Sequence, residues 1–157
     1  MTIVLIATLL YLTATGLLVR AVVRDDAVTS PAWLWPALPA MLLHGGYHVL
    51  VAMRTSGGPD MHFFAALSLV GLGMAWLTSL VAARGRMAAL GVLVFPMAAA
   101  VLWISHAYGQ PPSRPPGRPL ATHAWTALLS YAPLSVAAFL AHMLWLHAPA
   151  LRRPALR

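Results

Sequence analysis

Thr122-His123-Ala124-Trp125-Thr126-Ala127-Leu128-Leu129-Ser130-Tyr131 opens an apolar run that continues to Trp145. A run of this length reaches across a bilayer as a helix. Yet a histidine stands at its mouth, and a Ser-Tyr pair follows two helical turns deeper. A polar group in hydrocarbon costs free energy unless a neighbouring helix, water or a ligand satisfies it. The stretch therefore predicts a membrane-spanning helix and, at His123, a place to look for chemistry.

The composition of the whole chain agrees with the first half of that reading. Of 157 residues, 61% are hydrophobic and 8% charged, where a soluble domain carries about 25% charged residues. A water-soluble globule of this size needs more polar surface than that. There is no Lys and no Glu, and the net charge of +7 comes from ten Arg against three Asp. Those Arg lie in short connections between apolar runs, which is the footprint of membrane topology and not of a nucleic-acid-binding face. With no Cys, the chain itself offers no disulfide, thiolate metal site or thiol redox chemistry.

Working outward, the hydropathy pattern predicts one all-α membrane domain over 1–157, with spans at about 2–23, 33–53, 61–83, 87–108 and 120–147. No Arg or Lys precedes Arg20, so the first span lacks the basic start of a signal peptide and reads as an uncleaved helix. Pro36 and Pro39 stand near the entry of the second, and Pro96 interrupts the fourth. Gly71, Gly73 and Ala75 in the third permit close helix packing. Residues 109–119 hold five Pro and predict an extended, exposed loop. No internal repeat is evident.

Orientation follows from the arginines. Arg20, Arg24, Arg84, Arg86, Arg152, Arg153 and Arg157 fall on one side of five spans, and only Arg54, Arg114 and Arg118 on the other. The positive-inside bias places the N-terminus outside and the C-terminus in the cytoplasm. His62, His106 and His123 then lie at the outer face.

Seven histidines in so apolar a chain need sorting. Interfacial anchoring accounts for His142 and His147, which flank Trp145. It serves nearly as well for His62 and His106. His44 lies ten residues before Arg54, roughly 15 Å along a helix from the boundary and so close to the bilayer middle. There, a helix-to-helix hydrogen bond and a functional role explain it equally well. His48, four residues on, shares its face, and Gly45 and Gly46 between them leave room for a bulky neighbour. A zinc protease of the His-Glu-x-x-His type is excluded by the lack of Glu. A proton relay wants acids within the spans, but Asp25, Asp26 and Asp60 are all in connections. Neutral imidazoles in an apolar, aromatic-rich bundle suit haem iron, whose axial positions take His. The eight Met read as core filler.

Several of these motifs together resemble a known family. His44-Gly45-Gly46-Tyr47-His48, the Gly57-Gly58-Pro59-Asp60 loop, Leu90-Gly91 with Phe95-Pro96, and His123 with Ser130-Tyr131 stand in the order found in the membrane-embedded cytochrome c assembly family. These are haem-handling proteins of CcsA and CcmC type, and the chain is most similar to the small inner-membrane branch called YpjD. The resemblance runs from about Leu42 to Arg153. It implies an outer-face haem ligand at His123, an intramembrane one at His44, and a cofactor-binding set completed by His48 and Tyr131, with b-type haem as the cofactor. The family's Trp-rich haem-presenting segment has no counterpart here, and its later spans are missing, so the chain corresponds to the N-terminal part of the family's length.

The expectation is therefore a multi-pass protein of the cytoplasmic (inner) membrane that binds and orients haem for cytochrome c assembly and is not an enzyme. Its implied partners are membrane lipid, a second membrane subunit supplying the missing half, and an apocytochrome c or its assembly partner. No nucleic acid is expected. A transporter or permease subunit with a path lined by His44 and His48, hinged at Pro96 and Pro133, is the alternative, as is a structural membrane partner without cofactor.

Overall fold

The computed structural model describes residues 1–24, 31–54, 62–82, 89–109 and 118–151. Among them the chain forms helices and no strand. Helix α1 covers Thr2–Val23, α2 Leu34–Arg54, α3 Phe63–Ala82, α4 Gly91–Tyr108 and α5 Arg118–Leu151, and a single 3-10 turn at Pro31–Trp33 leads into α2. Helices α1, α3, α4 and α5 are long and apolar enough to cross a membrane, the pattern of a multi-pass membrane protein. Helix α2 has the length, at 21 residues, but it carries His44, Tyr47, His48 and two Gly in its middle.

Proline positions fit these helices. Pro36 and Pro119 fall in the first turns of α2 and α5, where a missing N–H removes no intrahelical bond. That is why α5 begins at Arg118, inside what the sequence predicts as loop; residues 110–117 of that loop lie outside the described residues. Pro39 and Pro96 sit further inside α2 and α4, each leaving one carbonyl of the preceding turn without its helical donor.

Four helices make a bundle. Helix α1 packs against α2 and α4, and α4 against α3, while α2 meets α3 along a sparser seam that closes the ring. Between apolar helices in lipid there is little hydrophobic drive, so close approach through small side chains has to supply the cohesion. Ala7, Ala14, Ala37, Ala40, Ala75 and Ala98 are accordingly all fully buried. Tyr11, Trp33 and Phe95 fill the middle, with Phe95 ring centroids 5.9 Å from both Tyr11 and Trp33.

Helix α3 is the shared wall. Gly71 and Gly73 are two residues apart, hence roughly 200° around the helix, and each admits a different neighbour. A Cβ on Gly71 would stand 2.6 Å from Val101 Cγ2 of α4, and one on Gly73 2.8 Å from Ala132 Cβ of α5. Helix α5 lies outside the ring, against α3. Most of its described side chains are exposed or half-buried, whereas α4 is buried along much of its length. The start of α1 and the ends of α2 and α4 meet at one end of the bundle, where Ile3, Arg54 and His106 line a common cleft. The aromatic contact of Phe64 with Tyr108, at 5.4 Å, brings the start of α3 to the same end.

Candidate functional site

The polar residues of α2 are spaced for one stripe: His44, Tyr47 and His48 stand at i, i+3 and i+4. The stripe turns into the bundle, and His44 has no exposed surface. Its Nδ1 is 3.2 Å from the Tyr11 hydroxyl of α1, and its Nε2 is 2.9 Å from Ser68 Oγ of α3. The same Oγ lies 3.0 Å from His48 Nε2. The two imidazoles stack with centroids 5.5 Å apart at 28°. Three helices are thus joined through one serine oxygen and one imidazole.

Counting donors fixes the direction of the chain. A fully buried phenol must donate its proton, and His44 Nδ1 is the acceptor in reach. His44 then carries its proton on Nε2 and donates to Ser68 Oγ, and the same hydroxyl shares a second bond with His48 Nε2. The Tyr11 and His44 protons are both used. The polarity follows from satisfying the groups, since an imidazole has one donor and one acceptor when neutral.

A second pair continues toward the bundle end. Tyr47 bonds His106 Nδ1 of α4 at 3.3 Å, its ring lies edge-on to His106 at 5.7 Å and to His48 at 5.3 Å, and Trp103 flanks His106 at 6.1 Å. His62 meets Phe64 edge-on at 5.9 Å.

The structure brings His44 and His48 together and leaves His123 and Tyr131 elsewhere. Both of the latter are exposed on α5. His123 lies nine residues before Ala132, roughly two and a half turns, and Ala132 is the buried contact to α3. His123 therefore faces directly away from the bundle. Below it on the same face follow Ser130, Leu134, Ala137 and Ala141, all exposed. The hydroxyls near it are satisfied within the helix: Thr126 donates to the His123 carbonyl at 2.9 Å and Ser130 to that of Thr126 at 2.9 Å. His142, near the other end, is exposed and stacks on Trp145 at 5.9 Å. The side chain of His147 lies outside the described residues.

Sequence reasoning missed Tyr11 and Ser68. A signal was present, since a tyrosine and a serine in the middle of apolar spans need partners in hydrocarbon. The room expected beside Gly45 and Gly46 is there only at Gly46, where an added Cβ would meet nothing within 4 Å; at Gly45 it would touch Leu72 at 3.6 Å.

Haem iron needs an imidazole nitrogen with a free lone pair and an apolar slot for the macrocycle. His44 offers neither as arranged: both ring nitrogens are bonded and the ring is enclosed, so ligation there would have to displace Tyr11 or Ser68. His123 fits as a single axial base. Its ring has no hydrogen bond to a described residue and opens onto the exposed face of Ser130, Leu134, Ala137 and Ala141. No group of three or more metal-ligating side chains converges among the described residues. No family model, curated protein or solved structure matches the chain.

Proposed function

We propose that this protein binds and orients haem at the outer face of the cytoplasmic membrane in support of cytochrome c assembly, with His123 as the iron ligand. The observation that carries the reading is the outward-facing His123, with no hydrogen bond to a described residue, above the exposed strip of Ser130, Leu134, Ala137 and Ala141, taken with the family resemblance of that segment. When bound, haem would supply the vinyl groups through which a partner attaches it to an apocytochrome. The chain's own part is to hold: His123 gives one base, and Leu134, Ala137 and Ala141 give one apolar wall. Because His123 points away from the bundle, the second wall and any second base come from another membrane subunit. Tyr131, exposed next to this face, would pack against the edge of the same site.

The topology belongs to this reading. Helix α2 is taken as a fifth crossing, since the residues that lower its hydropathy turn inward to Tyr11 and Ser68 and not toward lipid. The N-terminus is taken as outside from the arginine asymmetry, which puts His123 at the outer mouth. Reporter fusions after Arg54 and after Arg86 should then read outside and cytoplasm respectively.

A haem titration of the purified full chain tests the function. His123→Ala should lose the Soret shift of bound haem, added imidazole should partly restore it by filling the vacated position, and His142→Ala should retain it. Equal haem retention in both variants would remove His123 as a ligand. A permease subunit is the second reading, favoured by the polar thread that links His106 and Tyr47 at the bundle end to His48 and His44 inside. Substrate-dependent flux in vesicles that His44→Ala abolishes would favour it over haem binding.

A further inference from the structure

The end of the bundle where α1 starts and α2 and α4 finish holds a cleft of about 350 Å³, lined among others by Ile3, Tyr47, Leu50, Val51, Arg54 and His106. Its chemistry is divided. Ile3, Leu50 and Val51 give apolar walls. Arg54, exposed at the last position of α2, brings a guanidinium that is always charged and carries a fork of donors matched to phosphate oxygens. His106 has Nδ1 engaged by Tyr47, which leaves Nε2 as its ring nitrogen without a partner among the described residues.

An anionic head on an apolar body matches this lining better than a bare ion does. The volume lies at the low end of sites that take organic ligands and exceeds what a bare ion needs. The cleft lies at the ends of apolar helices, and the ends of helices that cross a bilayer meet its headgroup layer. We propose that this cleft binds the phosphate of an anionic phospholipid, with Arg54 as the charged anchor, His106 as the second donor, and the Ile3, Leu50 and Val51 wall against the start of the acyl chains. The site is separate from His123, which is on α5 and faces away from the bundle.

The test uses the full-length protein in detergent, titrated with phosphatidylglycerol or with phosphatidylcholine of the same acyl chains, and read by thermal unfolding and by native mass spectrometry of retained lipid. Phosphatidylglycerol should raise the unfolding midpoint and phosphatidylcholine should not. Arg54→Gln should weaken phosphatidylglycerol binding roughly tenfold, as expected for losing a charge-assisted pair. His106→Gln should weaken it less, because an amide can still donate. Arg20→Gln, near the opposite end of α1, should leave it unchanged. If Arg54→Gln expresses poorly, Arg54→Lys serves instead, keeping the charge and losing the fork, with an intermediate loss expected. An equal phosphatidylglycerol effect in the Arg54 and Arg20 variants would overturn the proposal, since any cation would then do. So would an equal shift from inorganic phosphate, since the apolar wall would then contribute nothing.

Discussion

His44 and His123 are both single imidazoles in apolar helices, and the molecule treats them in opposite ways. Around His44, three helices supply a phenol, a second imidazole and a serine, and each buried polar atom from Tyr11 to Ser68 has its partner. Around His123, no described residue hydrogen-bonds the ring. The first arrangement is what a bundle does with polar groups it must bury, and its effect is cohesion across the α2/α3 seam, where packing is sparser than elsewhere in the ring. The second leaves a lone pair and an apolar face unused. Saturation at His44 marks a histidine that holds the fold together; the exposed ring of His123 is the one proposed above to take a ligand.

Substitutions should separate the two regions by size of effect. His44→Ala should be the largest, at about 3 kcal/mol of stability, because it removes a fully buried ring and leaves the Tyr11 hydroxyl and Ser68 unpaired at once. Mixed-micelle denaturant unfolding measures it. A loss no greater than that of a surface change would mean the network contributes little. Gly71→Ala should follow at about 2 kcal/mol, since its Cβ would lie 2.6 Å from Val101 Cγ2 and a β-branched side chain in a packed seam has little room to yield. Ser68→Ala should cost about 1 kcal/mol, in keeping with measured interhelical hydrogen bonds in membranes, and should couple non-additively with His48→Ala in a double-mutant cycle. Smallest is His123→Ala, which should change stability by less than about 0.5 kcal/mol while removing the proposed ligand. Gly46→Ala is its counterpart on α2. With open space at the added Cβ, it should be neutral or raise stability slightly through better helix propensity.

Much of the fold was legible in the sequence. The first span coincides with α1, and the ends of α3 and α4 lie within a few residues of expectation, because a long apolar run bounded by Arg, Gly and Pro leaves few choices. The pairing of His44 with His48 was legible from four-residue spacing. That Tyr11 and Ser68 are its partners was not, since which helix faces α2 is a tertiary fact that no local pattern carries. The direction of His123 was hidden for a related reason. Helix α5 is apolar nearly all round, so no moment in its sequence tells which face packs. Ala132 against Gly73 decides it, and that contact is visible only once α3 and α5 are side by side. The start of α5 at Arg118 was missed because prolines predict a break, although a helix tolerates Pro in its first turn.

The central claim is that the buried histidine stabilises and the open one binds. It is tested most directly by measuring haem bound per folded protein, from the Soret band at matched protein concentration, in His44→Ala and His123→Ala after haem supplementation. The account predicts that His123→Ala keeps wild-type stability and loses most of its haem. His44→Ala should lose stability yet carry near wild-type haem in the fraction that remains folded. Haem retained by His123→Ala and lost from folded His44→Ala would contradict it, and would place iron in the bundle at the cost of the Tyr11 or Ser68 bond.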